Sequence, residues 1–177
     1  MDDKLTQQLN EDYPELFLFH TTRTGSPYHF GVGDGWYNIL NGLFLRITVG
    51  IRNHNKELRQ IEEAMDALDN GKEVPHWILN RIEKYTNSGE WPEPMEFPQI
   101  QQIKEKFGSL RVYVSYGDEV VHELIGYAEY LSSVTCEVCG APGEMRNDRW
   151  VKTLCDDHAV QHRDRLRGID RDYDPQN

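Results

Sequence analysis

"CEVCGAPGEMRNDRWVKTLCDDHA", Cys136 to Ala159, contains all three cysteines of the chain. Their spacing is Cys136-x2-Cys139, fifteen residues, then Cys155-x2-His158, which suits two ligand pairs around a tetrahedral zinc ion. Each pair can come from one tight turn. Gly140 permits the positive φ that the first turn needs. The second pair opens a helical segment, CDDHAVQHRDRLR, whose first-turn N–H groups favour a thiolate. The residues between have the length of a small hairpin turning at Asn147-Asp148. Turn, hairpin and helix in this order is the layout of a treble-clef or ribbon-like zinc module. His162, one helical turn later, is the alternative to His158 as fourth ligand. Four protein ligands leave no position for a reactive water, so a structural Zn2+ is expected over a catalytic one. Its task would be to staple a C-terminal segment too small for its own core.

Working back from Cys136, "DEVVHELIGYAEYLSS" reads as an amphipathic helix capped by Asp118, with Val121, Leu124, Ala128 and Leu131 inward. Before it, Leu110, Val112 and Val114 alternate with Arg111, Tyr113 and Ser115 as in a strand. "QIKEKF" is expected to pair with that strand across a Gly108-Ser109 turn, although Ile100, Ile103 and Phe107 are also helically spaced. "EWPEPMEFP", with three prolines in nine residues, is a loop. Three helices are predicted further upstream. One lies in "DGWYNILNGLFLRITVGI", capped by Asp34 and apolar on several faces, hence buried and central. The second is "NKELRQIEEAMDALDNG", with Leu58, Ile61, Met65 and Leu68 inward. The third is "PHWILNRIEKYTNSG". "PELFLFHTTRTGSPYHFGVGDG" reads as short extended pieces and turns. The expected fold is α+β: a helical core with a β-hairpin over 1–134, the zinc module over 135–168 packed on it, and a tail over 169–177.

The chain has 177 residues, a formal charge of −11 and a mean hydropathy of −0.72. Up to residue 144 acids outnumber bases 23 to 12, and from 145 onward they balance. Such a surface disfavours nucleic acid unless a local basic patch overrides it, and it suits a basic protein partner or imitation of a polyanion. The acidic start is no signal peptide, no segment is apolar enough to span a membrane, and an odd number of cysteines argues for a reducing cytoplasm. Apolar residues on several helix faces permit a homo-oligomer.

Two features suggest a ligand. Across a Gly108-Ser109 turn, Lys106 would lie opposite Arg111 and Lys104 opposite Tyr113. In the zinc hairpin Arg146 would lie opposite Arg149. Like charges across a ladder repel, so these cations mark a candidate anion site, although long side chains can also splay into water or meet nearby acids. "HFGVGDGW" lacks the dinucleotide fingerprint; Asp34, Trp36 and Tyr37 could instead line a pocket mouth for a base or sugar. No catalytic residue can be assigned, because every cysteine is committed to the metal and no Ser–His–Asp set is present.

"GDGWYNIL", "QIKEKFGSLRVYV", "AEYLSS" and "CEVCGAPGE…R…W…TLCDDHA" together resemble a family of small uncharacterised zinc-motif proteins of tailed bacteriophages and prophages. The likeness covers Gly33 to Tyr37 and most of Gln99 to Ala159, and the stretch from about Asn53 to Pro98 departs from it. Cys136, Cys139, Cys155 and His158 match its apparent zinc positions. The resemblance implies a phage accessory protein in the bacterial cytoplasm. Inhibition of a host or defence function by capture of a nucleotide-like ligand is then expected. The alternatives are an acidic protein-protein inhibitor or nucleic-acid mimic of a host enzyme, and a zinc hydrolase or nuclease.

Overall fold

Helix α1, Asp3–Asp12, opens where the Asp2 carboxylate accepts the N–H groups of Lys4 and Leu5. The computed structural model describes residues 1–147 and 150–166, and among these the chain is α+β, with six helices and two antiparallel hairpins. It forms two compact units, one of Met1–Arg46 with the described residues from Pro98 on, the other of Ile47–Phe97. No helix among the described residues is long and apolar enough to cross a membrane.

In the first unit Leu16 and Phe17 are both buried while Leu18 and Phe19 are exposed. Two buried neighbours followed by two exposed ones do not follow the alternation of a strand with one buried face. The extended pieces expected here are accordingly a 3-10 turn at Pro14–Leu16 and helix α2, Leu18–Thr24, closed by Gly25 at φ 70°. Phe17 then packs edge-on against Phe30 and Phe44 and stacks on Tyr28, forming an aromatic core.

The first two helices predicted after Gly33 are one helix, α3, Tyr37–Asp69. The intervening Arg52-Asn53-His54-Asn55 contains neither Pro nor Gly to stop it. Asn55, which could have broken the helix, uses its side-chain amide to bond both backbone groups of Met95. Nor does Asp34 cap this helix: it starts a 3-10 turn, and its carboxylate accepts the Asp2 N–H at 2.7 Å. Leu45 and Val49 are exposed, so α3 buries one stripe (Leu40, Leu43, Phe44, Ile47, Ile51) and is not buried all round.

In the second unit Ile61 and Ala64 of α3 pack with Ile78 of α4, His76–Ser88, and with Val74, Ile82 and Tyr85. Met65 and Leu68, expected inward, are exposed, because Ala64 takes the inner position. α4 ends at Gly89, φ 71°, and the proline-rich stretch that follows has no regular structure, as its composition requires.

Strands β1, Ile100–Lys106, and β2, Ser109–Val114, form the predicted hairpin, but its turn is Phe107-Gly108. Both turn residues have positive φ, 55° and 77°, the requirement of a type I′ connection. Glycine sits at the second central position, one residue earlier in the register than expected. Lys104 therefore faces Arg111, Lys106 faces Ser109, and Gln102 faces Tyr113. Holding a phenylalanine left-handed costs about 1–2 kcal/mol.

Helix α5, Glu119–Ser132, is capped by Asp118 as predicted, and buries Val121, Ile125, Ala128 and Ser132. Compared with the expected face, Ile125 and Ser132 replace Leu124 and Leu131. The rotation has a cause in hydrogen bonding. Ser132 Oγ accepts the Leu110 N–H and Glu129 accepts the Val112 N–H, satisfying the outer edge of β2. The second hairpin, β3 Glu144–Asn147 and β4 Val151–Leu154, leads into α6, Asp156–Leu166.

Candidate metal centre

The first ligand pair sits in a knuckle closed by Gly140, whose N–H donates to Cys136 O at 2.9 Å and whose φ is 76°. The second pair is placed by α6. Cys155 precedes its first residue and accepts the Ala159 N–H at 2.9 Å, so Cys155 and His158 share one side of the first turn. Beneath them Cys136, Leu154 and Ala159 form a small buried cluster, while Cys139 is exposed.

The four donor atoms of Cys136, Cys139, Cys155 and His158 lie within 4.8 Å of one another and can hold a metal ion. The Cys139 and Cys155 sulfurs are 3.8 Å apart, and His158 Nδ1 is 3.6 Å from Cys136 Sγ and 3.1 Å from Cys155 Sγ. A tetrahedron with metal–sulfur bonds of about 2.3 Å has sulfurs about 3.8 Å apart. His162 is not in the cluster.

The thiols perturb one another. Burial acts to raise Cys136, but donation from the N–H groups of Cys155, Cys139 and Val138 outweighs it and holds this thiol below its ordinary value. Cys139 receives the Ala141 N–H, which favours its thiolate, yet burial and the neighbouring Cys136 and Cys155 push it up. Three sulfurs this close cannot all ionise without a compensating cation, which is the electrostatic condition a divalent metal meets.

The knuckle also explains "GDGW". The Gly35 N–H donates to Glu137 O at 2.9 Å, and the Trp36 indole N–H donates to Thr135 O at 2.9 Å. A Cβ on Gly33 would lie 2.2 Å from Glu137 O, and one on Gly35 2.1 Å from Cys136 O. These glycines exist for close backbone approach. Trp36 is completely buried, so the expected pocket mouth of Asp34, Trp36 and Tyr37 does not form. Asp34 bonds Asp2, and the Tyr37 hydroxyl is raised in pKa by burial and by Asp12.

Glu137, an unremarked middle residue of the Cys-x2-Cys turn, is the residue sequence reasoning missed. It is buried, pairs with Lys152 at 2.7 Å, accepts the Gly33 N–H at 3.3 Å, and gives its own N–H to Thr153 O at 3.0 Å. Nothing in the local sequence distinguishes it from Val138; only the chain that folds over it does.

The cations predicted to mark an anion site are arranged differently from expectation. Arg146 faces Lys152 and not Arg149, because three residues connect β3 to β4; Arg149 itself lies outside the described residues. Arg146 pairs with Asp156 at 2.6 Å and Glu144 at 3.7 Å. Arg111 pairs with Glu129 at 3.6 Å and donates to Ser109 Oγ. Lys104 and Lys106 have no ion-pair partner among the described residues: Lys104 lies over the Tyr113 ring at 5.0 Å and Lys106 over Phe107 at 5.4 Å. Lys104, Lys106 and Arg111 alternate onto one face of β1–β2.

No family model matches the chain, and no curated protein or solved structure is significantly similar to it.

Proposed function

We propose that the Cys3His cluster holds a structural zinc in a treble-clef module, and that the chain works by binding a nucleotide-like anion on the outer face of the β1–β2 hairpin. Knuckle, hairpin and helix-borne second pair support the treble-clef reading, and three thiolates with one imidazole are a donor set zinc favours. Four protein ligands support a structural ion over a hydrolytic one. One observation carries the binding role: among the described residues Lys104 and Lys106 have no acid partner, whereas Arg111 on the same hairpin and Arg146 and Lys152 on the other each have one. In a chain of charge −11, cations left unmatched are available to an anion. A phage accessory role in bacterial cytoplasm, directed at a host or defence function, draws its support from the motif resemblance.

Native mass spectrometry reads the metal, and calorimetric titration with mono- and triphosphate nucleotides reads the ligand. One zinc per chain is expected, with nucleotide binding abolished in Lys104→Ala/Lys106→Ala. Arg111→Ala is a poor test, since that side chain braces Glu129 and Ser109. Nucleotide binding that survives the double lysine change would refute the site. A folded chain without metal would refute the zinc.

A second reading has its own observation. On α3 the exposed Met65 and Leu68 lie among Glu62, Glu63, Asp66 and Asp69, an acidic face with apolar anchors suited to a basic protein. Charge reversal of those four acids should abolish capture of such a partner and leave nucleotide binding unchanged.

A further inference from the structure

Phe107 is the one non-glycine residue with positive φ among the described residues. Asparagine or glycine would meet the needs of the turn without strain. Burial does not compensate, because the ring is 69% exposed. An outlier that the fold does not require points to a use outside the fold.

Beside Phe107 is a second exposed aromatic. The Thr153 hydroxyl donates to Gly108 O at 2.6 Å, and a Cβ on Gly108 would be 3.2 Å from Val151 Cγ1, so the tip of the first hairpin is pressed against β4. Trp150, just before β4, is 63% exposed. Glu105 fastens the two tips together. One carboxylate oxygen accepts the Gly108 N–H at 2.7 Å, and the other accepts the Trp150 indole N–H at 3.4 Å. Glu105 thus ties the Gly108 backbone to the Trp150 indole, and the exposed Phe107 ring beside that backbone contact lies under the Lys106 ammonium at 5.4 Å.

We infer that these paired tips bind single-stranded nucleic acid, with Phe107 and Trp150 as stacking surfaces for unpaired bases and Lys104 and Lys106 drawing the phosphates. This rests on the anion-binding reading above and names its ligand class. Phe107 and Trp150 are both open to solvent, and a mononucleotide has only one base to lay on them. A strand of splayed bases brings its own flat faces to them, as in other platforms that combine aromatics with cations. Duplexes are disfavoured, because they carry about twice the charge per unit length toward a chain of charge −11 and keep their bases stacked.

The test is fluorescence anisotropy of the full metal-loaded chain with labelled oligouridylate, oligothymidylate and a duplex of equal length, with UMP and UTP as competitors. Single strands should bind in preference to duplex, and the tighter of the RNA and DNA arms identifies the source. Phe107→Asn supplies a relaxed Asn-Gly turn and so keeps the fold; it should weaken strand binding roughly tenfold or more, as should Trp150→Ala. Lys104→Ala/Lys106→Ala should reduce the slope of log affinity against log salt by about 1.4. If nucleotides bind but strands gain nothing over them, the anion site stands and this inference falls. If neither binds, both fall. Strand binding unchanged in Phe107→Asn and Trp150→Ala would also overturn it.

Discussion

In the β3–β4 hairpin Arg146 meets Asp156 and Glu144, and Lys152 meets Glu137, whose carboxylate is almost wholly buried. In the β1–β2 hairpin Arg111 meets Glu129, but among the described residues Lys104 and Lys106 meet ring faces and the Gln102 amide and no acid. Each hairpin segment carries three cations, Lys104, Lys106 and Arg111 in one and Arg146, Arg149 and Lys152 in the other. What separates them is whether the rest of the chain supplies acids. Where it does, the cations hold elements together; where it does not, they are displayed. Counting charges on a hairpin therefore says little until its neighbours are known.

The contrast can be broken most severely by removing metal. Apparent binding energies for structural zinc are about 10 kcal/mol or more, so chelation should unfold the 135–166 segment while the aromatic core around Phe17 persists. Trp36 reports on it, since its indole bonds Thr135 beside the knuckle. Its near-ultraviolet dichroism should be lost on chelation and return with zinc. An unchanged signal would mean that the knuckle needs no metal.

Gly35→Ala should come next, at about 3 kcal/mol, because the new Cβ would meet the Cys136 carbonyl and two backbone nitrogens, none of which is a flexible side chain. Gly42→Ala is the control. Its Cβ would meet nothing within 4 Å, and on α3 it should stabilise slightly in denaturant melts. Equal effects of the two changes would remove the argument for close approach.

Glu137→Gln keeps the shape but leaves Lys152 without its charge partner, and should cost about 2 kcal/mol by urea unfolding. A loss no larger than that of an exposed pair such as Arg81–Glu57 would show that burial adds nothing here.

The smallest effect concerns pH. Burial raises the Tyr28 hydroxyl above its ordinary pKa, and the Ile103 N–H that it accepts acts in the opposite direction. With the folded value above the unfolded one, the stability linked to the neutral phenol is complete below about pH 10 and declines as pH rises through the folded value. Tyr28→Phe should flatten that alkaline decline in stability curves. An unaltered decline would assign it to other groups.

The metal set was legible because ligand spacing is local: Cys136, Cys139, Cys155 and His158 come from two short turns. The α5 cap at Asp118 and the helix stop at Gly89 were legible for the same reason. What escaped was decided at a distance. The Phe107-Gly108 turn outcompeted Gly108-Ser109 because it brings Gly108 against β4, a strand more than forty residues away. Trp36 resembled a pocket aromatic until the knuckle covered it. Glu137 shows no local sign of its role, because each of its partners outside its own turn is contributed by another segment.

Gly33 and Glu137 meet across 104 residues of chain. At translation rates of about 5–20 residues per second, the first is added to the chain roughly 5–20 s before the second. During that interval residues 47–97 can complete their internal packing, whereas Gly33 to Trp36 have nothing to dock on. With a metal-dependent knuckle, newly made chains should be cleaved near Trp36 by added protease until the Cys3His cluster is filled, and pulse-labelled translation with and without chelator would reveal it. If metal is what closes the knuckle, its supply at the moment of synthesis would set how long Gly33 to Trp36 stay exposed to quality control.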